Sequence, residues 1–188
     1  IKELIFEKTP EEMLHLLQYS QDVVARRAAL FELATWYTKE GTSVGEKNNI
    51  EAALRSVISG NTYWRLRNSA LLTLQNLVAG QPLDKVTETL LLDLIKTEKS
   101  WLRSAAITFL GTAKDPKYAD LFIQHFDDES DRVVNAAANA LGKTQSPKAF
   151  RALMKLKDKP SWKNQSLISA LNGLRELGDP RGAVLALD

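Results

Sequence analysis

Small and apolar side chains recur four residues apart along this chain, in phrases reading RRAALFEL, RNSALLTL, RSAAITFL, VNAAANAL and NQSLISAL. The anchor pairs are Ala29/Leu33, Ala70/Leu74, Ala106/Leu110, Ala137/Leu141 and Leu167/Leu171. Positions i and i+4 share one face of a helix, so each phrase predicts a helix with one buried stripe. Successive anchors are separated by 70−29 = 41, 106−70 = 36, 137−106 = 31 and 167−137 = 30 residues. A period of about 20–50 residues marks a solenoid, in which a unit hides its apolar face only by stacking on its neighbours.

The punctuation between these phrases predicts a second helix in each unit. Thr9-Pro10-Glu11-Glu12 offers an N-cap, a proline at the first helical position and a capping-box glutamate. The helix it opens runs to about Tyr19, and its partner follows Asp22 to about Lys39, with Gly41 as the stop. Ser43 and Glu46 repeat the capping-box spacing ahead of a stripe at Ile50, Ala53, Leu54, Val57 and Ile58. Ser59-Gly60-Asn61 breaks the chain before a helix from Tyr63 to about Ala79. The next stripe, Val86, Leu90, Leu91, Leu94 and Ile95, precedes a helix from Ser100-Trp101 to near Gly111. Asp115-Pro116, Ser146-Pro147 and Asp179-Pro180 read as cap-plus-proline starts, each following a glycine stop at Gly111, Gly142 or Gly178.

Small residues concentrate on the second helix of each unit (Ala28, Ala29, Ala105, Ala106, Ala136, Ala137, Ala138, Ala140). Those helices should form the crowded inner layer. Tyr118, Leu121, Phe122 and Phe126 give the first helices bulkier stripes. The alanine-leucine core, the Asp-Pro starts and the endings Leu110-Gly111, Leu141-Gly142 and Leu177-Gly178 resemble HEAT or HEAT-like repeats over about residues 10–188. The expected fold is all-α: a right-handed α-α solenoid of HEAT-like helix pairs, about five repeats plus a truncated sixth.

Composition narrows the function classes. The 188 residues are 44% hydrophobic and 26% charged, which suits a folded protein. A net charge of +2 points to neither nucleic acid nor membrane surface. The chain has no cysteine, which removes thiol catalysis and disulfides. No apolar run approaches the roughly 18 residues of a membrane span. The sequence opens at Ile1 without an initiator methionine, and the helix from about Arg181 stops at Asp188, so the chain reads as a piece of a longer one.

Residues 1–8 read as a strand or linker remnant of a preceding domain, with 9–188 as the repeat domain. The opening IKELIFEKTPEEMLHLLQYSQDVVARRAALFEL resembles the junction between a small β domain and the C-terminal helical-repeat domain in aminopeptidase N-like zinc metallopeptidases. Phe6-Glu7-Lys8, Glu11-Glu12 and the stretch from Asp22 to Ala29 carry this likeness. The resemblance implies a non-catalytic domain that packs on a catalytic domain of the same polypeptide and bounds substrate access. Leu4, Ile5 and Phe6 would make the domain-junction contacts. Zinc is then expected only in the absent catalytic domain, with no cofactor in this chain. The alternative is a free-standing HEAT-like scaffold that binds a peptide or protein partner on its concave face.

The family's His-Glu-x-x-His motif is missing, and the two histidines, His15 and His125, are 110 residues apart. A catalytic zinc takes three protein ligands in tight geometry, so the chain by itself is not expected to be an enzyme. Glu11/Glu12 suit a helix's opening turn, and Asp127/Asp128/Glu129 an inter-helix turn. The arginines have a sharper pattern: Arg26, Arg67 and Arg103 each stand three residues before an anchor alanine. Either they tie adjacent turns together through neighbours such as Asp22 and Glu98, or they form an anion-facing stripe; the structural role is favoured. Val134 and Asn164 end the register. Trp64, Trp101 and Trp162 open inner helices, an arrangement also compatible with stacking on bases. The near-neutral charge argues against a polyanion partner.

Overall fold

The computed structural model describes residues 8–60, 62–97 and 99–181. All regular structure among them is helical, and the chain divides into two compact units, Ile1–Gln81 and Pro82–Asp188. Leu4, Ile5 and Phe6 lie outside the described residues, as does Glu98.

The first unit holds α1 (Pro10–Tyr19), α2 (Val23–Thr38), α3 (Val44–Ser59) and α4 (Trp64–Leu77). The starts of α1, α2 and α3 are those the caps predict, while α4 begins after Tyr63 with no side-chain cap. The Glu12 N–H donates to Thr9 Oγ1 while the Thr9 N–H donates to Glu12 Oε2, and Ser43 and Glu46 repeat this reciprocal box. Each box satisfies amide donors that have no partner within the helix. Asp22 takes the Val24 N–H at 2.8 Å and opens α2. Helices α1 with α2 and α3 with α4 form two hairpins, stacked α1 on α3 and α2 on α4.

The second unit holds three hairpins. They are α5 (Lys85–Ile95) with α6 (Ser100–Leu110), α7 (Ala119–Gln124) with α8 (Asp131–Lys143), and α9 (Ala149–Lys157) with α10 (Gln165–Leu177). The second helices pack in succession, α6 on α8 and α8 on α10. This is an α-α solenoid arrangement, with the small residues on the stacked second helices. Ala106, Ala137, Ala138 and Ala170 are fully buried.

The structure differs from the sequence reading in several places. Asp115-Pro116 opens a 3-10 turn (Pro116–Tyr118), so α7 is a short helix with 3-10 turns on both sides. Trp162 opens not a helix but another 3-10 turn, after which Lys163 and Asn164 take left-handed φ values of 47° and 57°. Helix α10 therefore starts at Gln165, with the Ser166 N–H donating to Ser161 Oγ at 2.8 Å.

The fifth anchor pair is Ala170/Leu174, not Leu167/Leu171; the latter two are only half-buried. Close packing decides this. Small residues at Ser166, Ser169, Ala170 and Gly173 line one helical face, and that face lies on α8. A Cβ on Gly173 would come within 2.6 Å of the Ala138 carbonyl oxygen. The interval to the fourth anchor becomes 170−137 = 33 residues, and Trp162 loses its shared register with Trp101.

The Leu-Gly endings also divide into two kinds. Gly178 has a left-handed φ of 66° and stops α10 as expected, whereas Gly111 carries α6 on into a 3-10 turn against Ala140. Helix α2 ends at Thr38 with an extended Lys39, ahead of the expected stop at Gly41. Gly142 instead lies inside α8 and is buried, where a Cβ would sit 2.2 Å from the Gly173 carbonyl oxygen.

Leu110 closes α6 with no exposed surface, so Leu110→Ala should cost about 2–5 kcal/mol, as core truncations that leave cavities do. Gly173→Ala should also destabilise, by about 1–3 kcal/mol, because a Cβ there meets both the Leu153 Cδ2 methyl and the Ala138 carbonyl, and the latter is backbone that cannot swing away. Leu171→Ala should cost less than Leu174→Ala. Chemical denaturation of the four variants checks this, and equal losses at Leu171 and Leu174 would contradict the register.

Candidate functional site

The three aligned arginines begin on second helices and reach back to the end of the first helix in the same hairpin. Arg26 Nε donates to the Leu17 carbonyl at 2.7 Å, and its Nη1 to Thr62 Oγ1 at 2.9 Å. Arg67 Nε donates to the Ile58 carbonyl at 2.8 Å, and Arg103 Nη1 to the Thr97 carbonyl at 2.9 Å. Leu17 and Ile58 lie in the last turns of α1 and α3, and Thr97 just beyond α5. Carbonyls there have no intrahelical donor and carry the negative end of the helix dipole, so a guanidinium answers both needs.

Their carboxylate neighbours differ from those expected. Asp22 caps α2, while Arg103 finds its acid in the turn before α8. Its Nε and Nη2 donate to the two Asp128 carboxylate oxygens, each at 2.9 Å, and Nη2 also reaches Glu129 Oε1 at 3.4 Å. Arg103 is only 8% exposed, so this forked pair joins the hairpin of α5 and α6 to the start of α8 in a nearly dry setting. Burial pushes the Asp128 carboxyl up, but the hydrogen bonds from Arg103 and the Ser130 N–H outweigh it and hold the group below the ordinary range. The same hydrogen bonds raise the Arg103 guanidinium. His125, 3.8 Å from Asp128, is pushed down by burial, against the pull of Asp128.

The open face of the second helices includes the position two residues after each anchor, exposed at Phe31, Leu72 and Thr108 and half-buried at Asn139 and Asn172. In the first unit the position after the anchor holds Phe31 and Leu72, 51% and 46% exposed. Arg27 lies 5.7 Å from the Phe31 ring centroid. Both apolar residues were visible in RRAALFEL and RNSALLTL, where they fall outside the anchor pair and pass as ordinary helix text. In the second unit the matching positions are Thr108, Asn139 and Asn172. Asn172 Nδ2 donates to Asn135 Oδ1 at 3.1 Å, and the buried Asn139 Oδ1 accepts no hydrogen bond among the described residues.

Tryptophan is distributed more loosely. Trp64 and Trp162 are exposed, each with the next residue's cation over its ring (Arg65 at 5.2 Å, Lys163 at 4.2 Å), and Trp101 is half-buried. His15 is an exposed residue of α1 beside the Tyr19 ring, in a different unit from His125. Among the described residues no group of three or more histidine or acidic side chains is arranged to hold a metal ion. No helix among them is long and apolar enough to cross a membrane. The exposed Phe31 and Leu72 on the second helices offer apolar contact, while the carboxamides of Asn135, Asn139 and Asn172 are half-buried.

Residues 87–172 match the family model of HEAT repeats. No curated protein matches the chain. Solved structures do resemble it. One is the complex of CpcE and CpcF of phycocyanin lyase from Nostoc sp. PCC7120, at 20% identity and a TM-score of 0.62, covering 95% of this chain and 69% of that one. Another is a designed armadillo repeat protein at 14% identity and a TM-score of 0.55, covering 93% of this chain and 85% of that one. An engineered protein aligns at 17% identity and a TM-score of 0.53, covering 89% of this chain and 78% of that one. At such identities the likeness is one of fold.

Replacing Arg103 by alanine strands the nearly buried Asp128 and should cost about 3–5 kcal/mol. Arg26→Ala and Arg67→Ala should cost about 1–3 kcal/mol each, for lost charged hydrogen bonds. Because the Asp128 carboxyl is depressed in the folded chain, its contribution is complete above its ordinary value of about 4 and vanishes as pH falls through the lower folded value. Denaturant midpoints followed from about pH 7 to about pH 2 should show this acid-sensitive component in the unaltered chain and lose it in Arg103→Ala. Unchanged stability in all three variants would mean that the arginines do not hold the hairpins.

Proposed function

We propose that this chain is a HEAT-repeat scaffold that binds a protein partner on the exposed face of its second helices. The observation that carries this reading is the repetition of Phe31 and Leu72 at the same place on successive stacked helices, each about half exposed. Two apolar side chains held at one repeat's spacing on a rigid surface can take two anchors of a single partner, and buried apolar anchors supply most of the energy of such contacts. A solenoid suits the task, because stacking fixes backbones while the outward positions vary without disturbing the core.

The HEAT match over residues 87–172 and the repeat-protein neighbours support a scaffold. The phycocyanin-lyase neighbour is itself a complex of two proteins. The reading of the chain as the C-terminal domain of a zinc aminopeptidase rests on the residues around Phe6-Glu7-Lys8 and Asp22 to Ala29. Neither the family match nor these neighbours adds to it, so the interaction scaffold is preferred.

A photo-crosslinking amino acid placed at Phe31 or at Leu72 tests the proposal in extract of the cells that make the protein. Both positions should capture the same protein, and the same probe at exposed Val44, away from this face, should not. Capture that is equal at all three positions, or absent from both Phe31 and Leu72, would refute the reading.

A further inference from the structure

A groove of about 760 Å³ runs between the end of α7 and the length of α9 in the second unit. One wall is formed by Ile123 and Phe126, and the other by α9 with Ala152 and Leu156 at its base. Lysines cross the groove near both ends. Lys148 Nζ lies 2.8 Å from both carboxylate oxygens of Asp120, and Lys159 Nζ lies 2.6 Å from Asp127 Oδ1 and 2.8 Å from the Phe126 carbonyl. Between them stand Arg151 and Lys155, four residues apart on one face of α9 and exposed, with no ion pair or hydrogen bond among the described residues. The lining holds four cations against the single carboxylate of Asp127, a surplus of 4−1 = +3. Its uncompensated part is the pair in the middle.

We propose that this groove binds an acidic segment of a partner protein, with carboxylates two residues apart and an apolar side chain between them. This deepens the scaffold reading and rests on it. Side chains four apart on a helix stand about 6 Å apart, and alternate side chains of an extended strand about 6.6 Å apart. A strand set on edge in the groove therefore presents two carboxylates to Arg151 and Lys155. Its intervening side chain points the opposite way, toward Ile123 and Phe126. Helix α9 is nine residues long, about 13 Å, which fits roughly four residues of extended chain.

The test is fluorescence polarisation of the full chain with labelled ten-residue peptides. One alternates glutamate with leucine and phenylalanine, a second has lysine in place of glutamate, and a third has serine in place of the apolar residues. The first should bind, more weakly as sodium chloride rises, and the other two should bind at least about tenfold more weakly. Arg151→Glu with Lys155→Glu should weaken the first by about tenfold or more, and the doubly glutamine-substituted variant by less. Both positions are exposed, so unchanged melting temperatures should accompany the loss. Equal affinity in the charge-reversed variant, equal binding of the serine peptide, full displacement by inorganic phosphate, or no binding of any peptide would each overturn the proposal. If binding is instead lost in Phe31→Ser with Leu72→Ser, the groove is excluded while the scaffold reading stands. If the groove binds but the crosslinks at Phe31 and Leu72 capture nothing, the proposed partner face fails and the groove does not.

Discussion

The close approach of backbones between stacked second helices sets the terms for the second unit. At Gly142 and Gly173 even one methyl group would meet carbonyl oxygen, so α8 and α10 pack against each other with almost nothing between them. Such contact carries many dispersion interactions per residue and tolerates little change in volume. It rotates α10 until Ser166, Ser169, Ala170 and Gly173 face α8, and it leaves Leu171 and Leu167 only half-covered. The positions of Asn172 and Ile168 on the open side follow from that rotation.

Helix ends pose the other constraint. Short hairpins multiply carbonyls that lack intrahelical donors, and a buried one costs about 1–3 kcal/mol if left unsatisfied. Arg26, Arg67 and Arg103 meet this need from the neighbouring helix, each bonding a carbonyl at the end of the preceding one. Arg103 adds the carboxylate of Asp128, which couples one hairpin to the next. Arg103 is buried by this arrangement, and Arg26 and Arg67 are partly covered. The accessible cationic chemistry lies elsewhere, on α9, where Arg151 and Lys155 face open space beside an apolar wall.

The division of labour between layers follows from these two constraints. Second helices need small residues at their contacts, so bulk is accommodated at outward positions such as Phe31 and Leu72. First helices have larger side chains, and large side chains leave grooves between neighbouring helices. The groove beside Phe126 and Leu156 is one of these. Surfaces of different character thus arise on the two layers without disturbing the stack.

Much of this was legible in the sequence because it depends on near neighbours in the chain. The capping boxes at Thr9 and Ser43, the aspartate cap at Asp22, and four of the five buried anchor pairs are local, since i, i+3 and i+4 relations fix helix starts and faces. The helical-repeat fold was therefore readable from spacing, and its HEAT-like character from the resemblance of the alanine-leucine core, Asp-Pro starts and Leu-Gly endings. Tertiary packing decided what depends on contacts between distant segments. Leu167/Leu171 matched the local pattern as well as Ala170/Leu174 does, and only the α8 surface selects between them. Gly142 and Gly178 follow the same dipeptide pattern, yet one is a contact and the other a stop, because the first meets another backbone and the second meets solvent. The partner of Arg103 lies 25 residues away, a separation that no helical spacing specifies. Local chemistry thus set where each helix begins and which residues it can bury, and the stack determined which of them it does bury.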